Sequence, residues 1–154
     1  AKGICGGGLI SAVAAALDAG LIDESGCIEE PIRLAEGIFL RDGDIRAYQL
    51  AKSAIRTGIQ LLTDRAGVTR IDRIRVAGGF GAGLDLEACV RTGLLPYCEK
   101  YEIIGNAALD GASAMLSDEN ARKRYKSIVG NAITVQLAED QRFDDIFVEN
   151  LLFC

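Results

Sequence analysis

Histidine and tryptophan are absent from this chain of 154 residues, and proline and methionine number only two and one. Without histidine there is no Ser-His-Asp triad, no Cys-His pair and no His-ligated metal. No apolar run approaches the ~18 residues that a membrane span needs. The opening, Ala1-Lys2-Gly3-Ile4-Cys5, does not read as a signal peptide, because its charged part is thin and no long apolar segment follows. Basic runs are scarce too. A formal net charge of −5 argues against a nucleic-acid partner, which requires a basic face. The densest basic stretch, Arg122-Lys123-Arg124-Tyr125-Lys126, falls on an expected helix beside Asp118 and Glu119 and reads as a solvated face. The cysteines are Cys5, Cys27, Cys89, Cys98 and Cys154, and no two are separated by two residues. That excludes zinc-knuckle and ferredoxin spacing, and the odd count reads as reduced thiols. Cys89 and Cys98 are expected to pack as small apolar residues. Cys5, inside a glycine cluster, stands apart.

What is present is an ordinary globular balance, 49% hydrophobic and 25% charged, in a length that suits one domain with a sizeable core. Glycine is the exception. Its 18 copies lie well above the usual ~7%. They gather in Gly3-Ile4-Cys5-Gly6-Gly7-Gly8 and in Gly78-Gly79-Phe80-Gly81-Ala82-Gly83, while Gly20, Gly67 and Gly93 each follow a helical pattern where a left-handed cap is wanted.

The periodicity predicts a helix over Leu9 to Leu17 and a hairpin from Cys27 to Leu40 around Glu36-Gly37, with Pro31 on an edge. The strongest helix is expected over 44 to 66, capped by Asp44. Tyr48, Ala51, Ile55, Ile59, Leu62 and Ala66 share its apolar face. Gln49, Arg56 and Gln60 form the opposite, exposed face, with Lys52 at the border. Gly58 implies a close neighbour, since a mid-helix glycine costs ~1 kcal/mol. Strands follow at Ile74 to Ala77, Tyr101 to Ile104 and Ile133 to Leu137. Helices are expected from Asp85 to Gly93, Ala107 to Met115 behind Asn106, Glu119 to Ile128, and Phe143 to Leu152. In the last, Phe143, Ile146, Phe147 and Leu151 read as core. Alternating strands and helices imply an α/β layered fold.

The second glycine cluster carries the chemistry. Glycines between a strand and a helix permit positive φ and close approach of a ligand to the backbone, and the open N–H groups favour an anion. The spacing is not that of the dinucleotide-binding fingerprint, because Leu84 stands where its third glycine would be. Nor is it a Walker A loop, which needs Gly-Lys-Ser/Thr. A tight packing turn remains the alternative. Gly6-Gly7-Gly8 has the same logic in weaker form. The small residues of Gly105-Asn106-Ala107-Ala108-Leu109-Asp110-Gly111-Ala112 suit a helix lying tightly on a neighbour.

Five segments in this order resemble a family. They are Gly3-Ile4-Cys5-Gly6-Gly7-Gly8-Leu9-Ile10; Asp44-Ile45-Arg46 with Gln49-Leu50-Ala51-Lys52-Ser53-Ala54-Ile55; Val76-Ala77-Gly78-Gly79-Phe80-Gly81; Gly93-Leu94-Leu95-Pro96; and Gly105 to Ala112. The set is similar to the C-terminal portion of the ferredoxin-type reductive activators of corrinoid proteins, from Gly3 to about Phe153. Those proteins join a [2Fe–2S] domain to an ATPase domain of the actin, chaperone and sugar-kinase superfamily. The resemblance implies an α/β, ribonuclease-H-like and actin-like ATPase subdomain, incomplete here, with a small mixed sheet packed by helices. It implies a cytoplasmic, ATP-driven return of a corrinoid protein from Co(II) to Co(I), with electrons from the iron–sulfur domain. The partner would be a corrinoid iron–sulfur protein or a methyltransferase corrinoid protein, and a homodimer is one arrangement open to it.

By the same resemblance Gly78, Gly79, Phe80 and Gly81 lie against ATP or ADP, bound with Mg²⁺. Gly6 and Gly7, and more weakly Gln49, Lys52 and Arg56, join the candidate set. Two departures stand out: Gly7 replaces the serine of the family's Cys-Gly-Ser-Gly, and Asp42 replaces a glutamine ahead of the long helix. The superfamily's two phosphate loops, each an Asp-x-Gly-type hairpin, and the cluster domain are expected to precede this part, and no cysteine pattern here could hold a cluster. One 154-residue unit, the latter half of an ATPase domain, is therefore expected, with negligible ATP hydrolysis by itself. Two other readings stay open. One is half of a sugar or carboxylate kinase, or of a 2-hydroxyacyl-CoA dehydratase activator, with the same fold. The other is a non-catalytic interaction or dimerisation module.

Overall fold

The computed structural model describes residues 3–153; Ala1, Lys2 and the fifth cysteine, Cys154, lie outside them. Helix α1 (Gly6–Asp18) starts inside the first glycine cluster, where Cys5 caps it by accepting a hydrogen bond from the Gly8 N–H at 3.4 Å. Strands β1 (Ile32–Ala35) and β2 (Ile38–Leu40) form the expected antiparallel hairpin, turning through Gly37 at φ +70°. Helix α2 (Asp42–Arg65) begins two residues earlier than the sequence suggests. Arg41 is its N-cap, and Asp44 acts from the third position, accepting from the Arg41 N–H at 2.9 Å. Gly20, Gly67 and Gly93 all take positive φ after helices, as expected.

Beyond α2 come β3 (Arg73–Val76), a single helical turn α3 (Gly78–Gly81), α4 (Leu86–Arg91) and β4 (Lys100–Ile103). Strands β3 and β4 pair in parallel, Ile74 opposite Tyr101 and Val76 opposite Ile103. Helices α5 (Ala107–Ser117) and α6 (Glu119–Gly130) follow, then α7 (Phe143–Glu149). The small mixed sheet of the expectation is two separate pairs, one antiparallel and one parallel. Ile133 to Leu137, read as a strand from its β-branched residues, is irregular chain leading to a 3₁₀ turn at Leu137–Glu139. The last helix stops at Glu149, short of Leu152, and the chain turns at 150–152 so that Phe153 enters the core. None of the described helices is long and apolar enough to cross a membrane.

The core lies between α1, the first half of α2, α4, the hairpin and the chain's last residues. Ile10, Val13, Leu17, Leu40, Ile45, Cys89, Leu94 and Phe153 meet there. The apolar face assigned to α2 is corrected by this packing. Of it, Tyr48 is buried, whereas Ile55 and Leu62 are exposed. The buried residues are Ile45, Tyr48, Gln49, Lys52, Ser53, Thr57 and Leu61, so the helix turns a largely polar face inward. Gly58 has the close neighbour its position implied: a Cβ there would meet Leu137 Cδ1 at 3.5 Å. Helix α5 packs on α6 but buries none of its residues, so the tight seat expected for its small side chains is not formed among the described residues. Within the basic stretch of α6, Arg122 donates to the Met115 carbonyl at 2.6 Å, closing the end of α5.

Candidate functional site

The two glycine clusters, 70 positions apart in the chain, meet in space. A Cβ at Gly6 would come within 2.8 Å of the Phe80 ring, and one at Gly7 within 3.1 Å of the Gly83 carbonyl. A side chain at Gly6 would push the Phe80 ring aside and one at Gly7 would press on the Gly83 carbonyl, so glycine suits this close approach. The third small-residue segment joins them. Gly78, at φ +92°, donates its N–H to the Gly105 carbonyl at 2.7 Å, and Gly105 is itself at φ +66°. Ile104 N–H donates to the Val76 carbonyl at 3.0 Å, which extends the parallel pairing to the mouth of both loops.

Gly78 follows β3 and Gly105 follows β4, so both loops leave the carboxyl ends of parallel strands. Open α/β sheets place their ligands at such ends. The cradle has both close-packed and open positions. A Cβ at Gly81 would lie 2.6 Å from Val76 Cγ1, so this glycine seats the turn on its own strand. At Gly78 and Gly79 a Cβ would meet nothing within 4 Å. Their backbone faces open space that a ligand can occupy. Phe80 is 63% exposed and offers a flat apolar surface beside it. Open glycine backbone beside an exposed aromatic face is chemistry that can receive a flat or anionic group. Gly105 was not singled out as a binding residue from the sequence. Its signal was the repeat of a strand followed at once by glycine.

The polar residues of α2 lie elsewhere. Gln49 and Lys52, expected on an exposed face, are 3% and 1% exposed. Gln49 Nε2 donates to the carbonyls of Ser25 and Leu151 at 2.9 and 3.0 Å. Lys52 Nζ donates to those of Asn150 and Leu152 at 2.8 and 2.5 Å. Arg56 and Gln60 are half-buried. The polar pattern was legible, but its target, a segment about 100 positions later, was not. Cys89 and Cys98 are buried as expected, and burial pushes the Cys89 thiol up to about 11, helped by the charge of Asp85. Cys5 and Cys27 are exposed free thiols. No three metal-ligating side chains come together among the described residues.

The strands, crossover helices and glycine-lined strand ends are those of an ASKHA-type, actin-like domain. The chain belongs to the family described as the C-terminal domain of RACo, the ASKHA domain, which it matches over residues 1–154. It is 28% identical to the corrinoid activation enzyme RamQ of Eubacterium limosum over 185 residues, covering 99% of this chain and 31% of the relative. A solved structure titled as a reductive activator for corrinoid, iron-sulfur protein superposes with a TM-score of 0.83 at 31% identity, covering 97% of this chain and 28% of that one. The chain thus spans about three tenths of the length of these relatives.

Proposed function

We propose that this chain is the nucleotide-facing latter half of an actin-like ATPase domain, in a cytoplasmic activator that returns a corrinoid protein from Co(II) to Co(I). The observation that carries the reading is the convergence of Gly6–Gly7, Gly78–Phe80 and Gly105 at the ends of two parallel strands. Membership of the family and the names of the two relatives support a part in the reductive activation of a corrinoid protein. In this reading Gly78 and Gly79 let the nucleotide lie against the backbone, and Phe80 bounds it. Gly105 fixes the position of Gly78 through the N–H bond. Gly6 and Gly7 let α1 close the junction from the far side.

The phosphate loops, the Mg²⁺ ligands and the [2Fe–2S] domain belong to other parts of a longer protein. That cluster would supply the single electron that takes Co(II) to Co(I), and hydrolysis of ATP to ADP and phosphate would drive the transfer. Clamping a triphosphate requires charged groups on both sides of it. This chain alone is therefore expected to bind nucleotide weakly and to hydrolyse it negligibly.

The test uses the longer protein with a reductant and a Co(II) corrinoid protein, following the corrinoid absorbance. Formation of Co(I) that depends on hydrolysable ATP supports the reading. Equal reduction without ATP overturns the coupling, and phosphorylation of a sugar or carboxylate would assign the fold to a kinase instead.

A further inference from the structure

Lys52 is among the most deeply buried side chains of the molecule, in a face of α2 that also buries Gln49, Ser53 and Thr57. We infer that this face is a groove that reads peptide backbone, and that its occupant is the chain's own C-terminal segment. The hydrogen bonds run along that segment in order. Ser53 Oγ donates to the Phe147 carbonyl. Lys52 takes the carbonyls of Asn150 and Leu152, and Gln49 takes that of Leu151 between them. Asn150 Nδ2 answers from the other side, donating to Thr57 Oγ1 at 3.2 Å.

The carbonyls that Lys52 and Gln49 take from this segment lie just past the end of α7. The Val148 and Glu149 carbonyls are taken by the N–H groups of Leu151 and Leu152, whereas those of Asn150 to Leu152 lie past the helix, and an ammonium with three donors suits two of them. Besides that Asn150 carboxamide, side-chain recognition falls on Phe153. Its ring stacks on Tyr48 at 6.2 Å, lies 5.1 Å from Lys52 Nζ, and its N–H donates to the Glu24 carbonyl at 2.8 Å. The carboxamide of Gln49 also fills the space beside Gly26, where a Cβ would fall 2.5 Å from Nε2. A groove that binds three successive carbonyls leaves selectivity to the two side chains it holds by contact, the Asn150 carboxamide and the aromatic ring at the end.

Lys52→Met preserves the side chain's bulk and removes its donors, so two carbonyls lose their partner in the interior. The test is amide hydrogen exchange on the full chain. Amides of residues 150–153 are expected to exchange at least tenfold faster, while those of Val13 and its neighbours in α1 change less than twofold. Ser53→Ala is the milder variant if Lys52→Met does not fold, with the same pattern at about threefold. A second readout uses full-length chain with a protease site in the exposed 131–133 loop, cut after folding. The released piece is expected to stay bound in the parent and to separate from the Lys52→Met body on gel filtration. Equal acceleration of tail and α1 amides would make the segment ordinary core and overturn the groove. So would unchanged exchange in both variants. A dimer that restores tail protection as concentration rises would assign the groove to a second copy's tail and overturn the occupant.

Discussion

The two strand pairs of this molecule live in different surroundings. The hairpin β1–β2 turns Ile32, Leu34 and Leu40 into a core shared with α1, α2, α4 and Phe153. The parallel pair β3–β4 only half-buries Ile74, Val76 and Tyr101, and the helices that follow it leave Leu109, Leu116, Ile128 and Val129 exposed. The first region is a body that holds itself together by burial. The second is held by its backbone ladder and by an ionic cluster at the rim: Glu102 accepts from Arg75 at 2.9 Å and lies 2.7 Å from Lys100 and 3.8 Å from Arg73. The glycine junction sits where the two regions touch. The difference teaches that the candidate site is anchored on one side and open on the other. An open side suits a domain whose remaining half lies in a longer chain, as proposed above.

The sharpest way to break this comparison is to truncate a side chain in each region. Leu40→Ala, in the body, is expected to lower stability by about 3 kcal/mol, as for a fully buried leucine. Leu116→Ala, at an 83% exposed position, should change it by less than about 0.5 kcal/mol. Denaturant unfolding of both variants decides it, and comparable losses would show that the outer helices share the core. A smaller effect is expected at the junction. Gly81→Ala forces Val76 aside and should cost about 1–3 kcal/mol in the same assay.

The outer region answers to pH. Lys100, then Arg75, hold the Glu102 carboxyl down at about 2. The folded state therefore binds its proton less readily than the unfolded chain, whose glutamate titrates near ~4.3. This contribution is complete above about pH 5, fades as pH falls and is gone below the folded value. A carboxyl NMR titration should give a midpoint near 2; one near ~4.3 would remove the ionic cluster from the account. The smallest perturbation is alkylation at mildly basic pH. Cys5 and Cys27 should react readily, and Cys89 only on unfolding, because burial raises its pKa. Rapid native labelling of Cys89 would mean that the body opens as easily as the rest.

Much of this was legible in the sequence where the cause is local. Asp85 and Asn106 cap the helices they precede, and Gly37 turns the hairpin. Cysteines 89 and 98 are small and buried. What escaped depends on distant partners. Periodicity placed Ile55 and Leu62 on the buried side of α2, yet the groove for the chain's end draws Lys52 and Gln49 inward instead. Ile133 to Leu137 has strand-like residues, but no described strand pairs with it. At the site, both glycine clusters could be read from composition. Their contact, and the part Gly105 plays in it, needed the fold.

The central claim is that Gly78 and Gly79 are open because a nucleotide lies against them. Gly79→Val tests it most directly, since a Cβ there meets nothing within 4 Å and the position has no positive φ. ADP titration by calorimetry, on the parent and this variant in the longer protein, is the measurement. The account predicts unchanged melting temperature and at least tenfold weaker ADP binding. Equal affinity in parent and variant would contradict it.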